Sequence, residues 1–278
     1  MRRPFRRRSA ISGDASVAPT NMLPETALAL IPTYVLAFFR LAGLMLMAPL
    51  FGSTRIPRRV KLMFAAVAAF GTIGAAPPVA FPESLAGLTL GIAGEMVFGI
   101  AMGTIASFTF IAAQWAGEMI GQQMGFNLSE VFDPQFGQGG TLVGDMFFML
   151  TTVIFLAIGG HRILITAVHE SFQTAPLLTL AITPSLFDAI VELLTAATVL
   201  AMRLAAPMFF TMLVVDLSMG CVSRAMPQFN VMSAGLTLRA IIGMVILLAG
   251  VGLTSDALSG SLSESLAHVR HLWPAGGR

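Results

Sequence analysis

His161 and His169 stand eight residues apart, each beside a charged neighbour, Arg162 and Glu170. In a helix that spacing puts both imidazoles on one face, two turns apart, where they could share a metal or pass a proton. The stretch HESFQ is nevertheless no zinc motif, because Gln173 occupies the place where the second His of HExxH must stand. Two histidines without a third ligand do not close a metal site. A second set of groups is buried in apolar sequence: Glu95, Asp145, Arg203 and Asp216 are of the kind that secondary transporters use to hold ions or substrates at membrane depth. Ser129 with Asp133 supplies a hydroxyl and an acid but no base to join them. GQGG at 137–140 has neither the spacing nor the Lys of a phosphate loop. The single Cys221 excludes an internal disulfide and any multi-cysteine metal site. The expectation is a chain with no catalytic residues, no metal and no cofactor.

The elements that carry these groups are apolar. Of 278 residues, 56% are hydrophobic and 11% charged, with a mean hydropathy of +0.83, far too little polar surface to cover a soluble globule of this size. The chain belongs in or against a bilayer. Its formal charge is +2, but Arg2, Arg3, Arg6, Arg7 and Arg8 crowd one stretch and Arg55, Arg58, Arg59 and Lys61 another. Both favour an anionic surface such as membrane lipid. Neither suits a nucleic acid, since the second cluster has no interleaved aromatics and no soluble domain holds them. Residues 1–22 read as a disordered basic tail, too poor in apolar side chains to fold. Apolar segments then run at about 26–51, 62–82, 85–115, 142–168, 186–219 and 231–258, all of helical length. They are impure. Arg40, Glu95, Asp145, His161, Glu192, Arg203, Asp216 and Arg239 interrupt them, and a charge at bilayer depth costs about 2.5–3.5 kcal/mol on insertion scales. Charged faces must therefore look at protein or water. Prolines such as Pro32, Pro49, Pro77, Pro78 and Pro207 should kink or end helices. The fold class expected is all-α: membrane-associated, kinked helical hairpins embedded among other subunits.

One segment departs from this pattern. Gly117, Gly121 and Gly125 recur every four residues, which on a helix opens a groove for close backbone approach; Gly87, Gly91, Gly99 and Gly103 form a weaker version. Beyond Gly125 the helical signal fades, because Asn127 and Ser129 favour turns and Asp133 precedes Pro134. Residues 124–141 thus read as a loop carrying Met124, Phe126, Leu128, Val131 and Phe132. Apolar side chains on such a loop can close a passage by excluding water.

AGEMIGQQMGFNLSEVFDP, GGHRILITAVHESFQTAP and SRAMPQFNVMSAGLTL, preceded by FFRLAGLMLMAPLFGSTRIPRRVKL, together resemble the FliR/SctT family, the R-type subunit of the flagellar and injectisome type III export gate. The likeness runs from about residue 28 to 258. It implies a helical hetero-oligomer with P-type and Q-type subunits, alongside B-type and A-type membrane proteins, at the bacterial inner membrane within the flagellar basal body. Unfolded protein substrates would pass through it. It also implies a P-like region at 23–185, a Q-like hairpin at 186–258 and a C-terminal tail at 259–278. The family's plug falls on Met124, Phe126, Leu128, Val131, Phe132, Asp133 and Pro134, with Gly117, Gly121 and Gly125 packing the helix behind it. The wording around the basic loop leans flagellar over injectisome, and the stand-alone transporter is the other alternative.

Overall fold

The computed structural model describes residues 22–49, 51, 57–126, 141–178, 184–226 and 231–271. Among them are seven α-helices and no strand: α1 (Met22–Met47), α2 (Arg58–Thr72), α3 (Leu85–Gln123), α4 (Leu142–Ala157), α5 (Gly160–Thr174), α6 (Pro184–Ala225) and α7 (Val231–His271). The basic tail at 1–21 and Arg55 lie outside the described residues.

The 39-residue α3 is the axis. Its apolar residues are spread all round rather than along one stripe, which is the pattern of a helix buried on every side. It packs against α1, α4, α6 and α7. Ser84 starts it, the hydroxyl accepting from the Gly87 N–H at 3.1 Å. The sequence's third apolar segment ends near residue 115, yet the helix continues two further turns to Gln123. Its polar residues there, Gln114 and Glu118, satisfy each other at 3.1 Å across one turn.

α1 reaches α3 through bare backbone. A Cβ at Gly99 would fall on the Arg40 carbonyl oxygen, one at Gly43 on the Met96 carbonyl, and one at Gly103 within 2.7 Å of the Leu44 carbonyl. This seam is the tightest contact between the two helices. α1 also holds α2 and the chain after it: the Tyr34 hydroxyl donates to the Ala66 carbonyl at 3.3 Å, and the Thr33 hydroxyl accepts from the Val79 N–H at 3.1 Å. α2 stops at Thr72 and one 3₁₀ turn, Ile73–Ala75, because Pro77 and Pro78 follow and cannot continue a helix. The apolar run 62–82 is therefore not one helix.

The run 142–168 divides as well. Gly159 adopts φ +72, a left-handed value that costs glycine nothing, and α5 leaves α4 at 66°. Where the sequence reads Gly159 to His161 as a helix end at the interface, the chain turns and starts a new helix. Among the described residues, four helices are long and apolar enough to cross a membrane, five if α4 and α5 form one broken span. Their burial differs sharply: 67% of the qualifying stretch in α3 is buried but only 6% of that in α7. α7 also runs to His271, beyond residue 258 where its apolar stretch ends, and its last turns pack Leu258, Leu262 and Leu266 inward.

The seam yields a prediction. Gly99→Ala should cost at least about 3 kcal/mol, the upper range for overpacking, because the atom it meets is main chain. Gly71→Ala, whose new methyl meets nothing, should stabilise by up to about 1 kcal/mol through helix propensity. Thermal unfolding of the detergent-purified variants checks both.

Candidate functional site

Two features of the described chain are built for more than packing. One is a buried ionic knot, the other the pair of fixed points between which the segment 127–140 is strung.

Arg40 on α1 is 1% exposed. Its Nε donates to Glu95 Oε2 on α3 at 2.6 Å. One terminal nitrogen donates to the Ser171 carbonyl at 3.2 Å and hydroxyl at 3.1 Å, and the other to the Ala175 carbonyl at 3.0 Å. Those carbonyls end α5, so the guanidinium caps that helix at the negative end of its dipole. Phe98 and Phe172 close over its faces, 4.3 and 4.8 Å from ring centroid to guanidinium carbon. Only a planar fork with five donors can serve three helices at once, so Lys would not replace it. Glu95's other oxygen accepts from the Leu178 N–H at 2.9 Å. Leu178 sits at φ +66, a conformation costing roughly 1–3 kcal/mol that persists where the surroundings over-determine it. Glu95 holds its amide, and Gly91, lacking a Cβ, leaves room for its side chain.

The second feature closes α3. Gly125 N–H donates to the Gln122 carbonyl at 3.0 Å and Phe126 N–H to the Gly121 carbonyl at 3.1 Å. With Gly125 at φ +81 this is a Schellman cap. The reading of Gly125 as a third notch in the helix groove is thereby corrected: it stands past the helix end. Gly117 is a notch, since its Cβ would lie 2.7 Å from the Gly144 Cα and the Val143 carbonyl. Gly121 faces Thr141, whose side chain would be 3.3 Å away. Thr141 in turn caps α4, accepting from the Gly144 N–H at 3.0 Å. Both ends of 127–140 therefore converge on Gly121. In the described chain, Gly117 and Gly121 receive this protein's own α4.

Met124 also departs from expectation. It is 1% exposed and packs where Gly243 on α7 leaves space, a Cβ there meeting its Cγ at 2.5 Å. It is an anchor rather than part of a free stopper. Phe126 is half-buried against the same core. Leu128, Val131, Phe132, Asp133 and Pro134, with Asn127, Ser129 and GQGG, lie outside the described residues.

The transporter set is not assembled. Glu95 pairs with Arg40, while Asp216 on α6 pairs with Arg239 on α7, where the side chains are 43% and 35% exposed. Arg203 is exposed and Asp145 half-buried. No group of three His, Cys, Asp or Glu suited to a metal occurs among the described residues, and His161 and His169 are exposed. The sequence marked Arg40 and Glu95 as misplaced charges without pairing them. The available signal was that each precedes a seam glycine by one turn, Gly43 and Gly99, which puts charge and notch on one face.

A bent α-helical chain with a capped, glycine-notched central helix and broken spans matches a known family over most of its length. The family described as "Bacterial export proteins, family 1" aligns with residues 31–265. The chain belongs to this family. It is 28% identical over 251 residues to the flagellar biosynthetic protein FliR of Bacillus subtilis, covering 87% of this chain and 95% of that one. It is also 28% identical over 234 residues to FliR of Aquifex aeolicus, covering 84% and 90%. To FliR of Escherichia coli K12 it is 28% identical over 217 residues, covering 78% and 83%. It is an all-helical membrane component of bacterial export.

The knot predicts non-additive mutations. Arg40→Met or Glu95→Leu alone should each destabilise by about 3–5 kcal/mol, since each strands a buried charge. The double variant should recover much of the loss. Denaturation of the four proteins in detergent measures the coupling.

Proposed function

We propose that this chain is the R-type core subunit of the flagellar type III export gate, and that the segment 127–140 stops its channel for unfolded export substrates at rest. The observation that carries this reading is the double clamp on 127–140: a Schellman cap at Phe126 and a threonine cap at Thr141 converge on Gly121. The two caps fix where the chain leaves α3 and where it enters α4 through contacts made outside 127–140. Its Leu128, Val131 and Phe132 would exclude water from a narrow passage, as hydrophobic constrictions do. Neither step forms or breaks a covalent bond, so energy would come from elsewhere in the machine.

The outward faces of α6 and α7 support assembly. Phe210, Leu213, Leu217, Leu248 and Leu253 are 65–78% exposed, apolar surface that only lipid or other chains can cover. P-type and Q-type subunits are the partners proposed there, with B-type and A-type membrane proteins at the periphery, in the inner membrane at the basal body. The hairpin of α6 and α7 would be the Q-like part of a two-part chain whose earlier region, 23–185, is P-like.

Deleting 128–132 should leave the assembled complex purifiable with its partners but make the membrane leak ions and small solutes. Unchanged conductance in an assembled complex would contradict the stopper.

A further inference from the structure

Between α1 and α2 lies a groove of about 600 Å³, within the usual range of ligand pockets, roughly 300–1,000 Å³. Phe39, Leu46, Leu62 and Met96 are among its apolar walls, and Arg58 and Lys61 stand at its rim. No acidic residue lines it. Among the described residues no carboxylate pairs with Arg58, Arg59 or Lys61. These cations occupy the first turns of α2, which contain no acid and receive no side-chain cap from Pro57. Positive charge there opposes the helix dipole, so the arrangement is incomplete without an anion. The groove follows α1 from residue 38 to 46, about 12 Å of helix, within the stretch Leu30–Met47 that is apolar enough to cross a membrane.

We propose that this groove holds an acidic phospholipid, one acyl chain lying along α1 and the headgroup phosphate on Arg58 and Lys61. A hydrocarbon chain fits the walls, and a membrane-embedded span delivers it without a path through water. The phosphate supplies the counter-charge that the protein lacks. A neutral apolar ligand would leave the cations unanswered, and an acidic soluble peptide would leave the hydrocarbon walls wet. Binding of one defined lipid would brace α2 against α1 next to the seam with α3.

The full-length chain, reconstituted in nanodiscs of phosphatidylcholine and phosphatidylglycerol and then extracted in mild detergent, should retain phosphatidylglycerol by native mass spectrometry. Arg58→Gln with Lys61→Gln should lower that retention roughly fivefold for each cation lost. Leu46→Trp, at a half-exposed wall position, should fill the groove and displace the lipid while both cations remain. Retention of phosphatidylcholine equal to phosphatidylglycerol, or no loss in the double variant, would overturn the proposal. A benzoylphenylalanine at position 46, irradiated in the native membrane, should link to lipid. Linkage to a protein chain instead would show the groove to be a subunit interface and also overturn it.

Discussion

The fold depends on α3 presenting main chain, not side chain, to its neighbours. At Gly99 and Gly103 the backbone of α1 comes so close that no Cβ fits, and at Gly117 the start of α4 does the same. In lipid there is little hydrophobic gain from pairing helices, so close van der Waals contact and satisfied polar groups must supply the cohesion. The upper seam brings Arg40 within reach of Glu95, and that pair then recruits the last carbonyls of α5. The lower seam brings Thr141 against Gly121 and so fixes where the chain re-enters after residue 140. One helix thus positions both the ionic knot and the clamp.

The two features are complementary in rigidity. A buried guanidinium that ties α1 to partners on α3 and α5 resists relative movement, because displacing any partner exposes a desolvated charge. Met124, seated against Gly243 on α7, extends that rigidity to the helix end itself. Phe126 and Thr141, the residues on either side of 127–140, are both held on this frame. A frame fixed on both sides suits the proposed closure, which must return to the same place after each passing chain.

Much of this was legible in the sequence, and the failures have physical causes. Long apolar segments, their interruption by proline and the notch at Gly117 follow from composition and period. Gly125 was misassigned because a spacing of four fits both a packing stripe and a helix cap; the left-handed backbone, not the spacing, distinguishes them. The apolar stretch of α3 ends near residue 115 because Gln114 and Glu118 lower local hydropathy, but the glycine spacing carries the helix on, and the two polar side chains satisfy each other upon it. Gly159, Gly160 and His161 mark a helix end in the sequence, but that a new helix starts there at once is hidden, because apolar residues continue on both sides of the bend. Arg40 and Glu95 are separated by 55 residues, and only three-dimensional packing joins them. Met124 looked like stopper material because an apolar side chain beside a polar segment reads the same whether it points inward or outward.

The central claim is that the segment between the two clamps closes a passage and moves aside for substrate. Cysteine labelling of the assembled complex tests it most directly, with Leu128→Cys in a Cys221→Ser background, since Cys221 is exposed. At rest, a membrane-impermeant thiol reagent should label position 128 slowly; with an export substrate stalled in transit, the same cysteine should cross-link to that substrate. Equal, rapid labelling in both states, with no cross-link to substrate, would contradict the account.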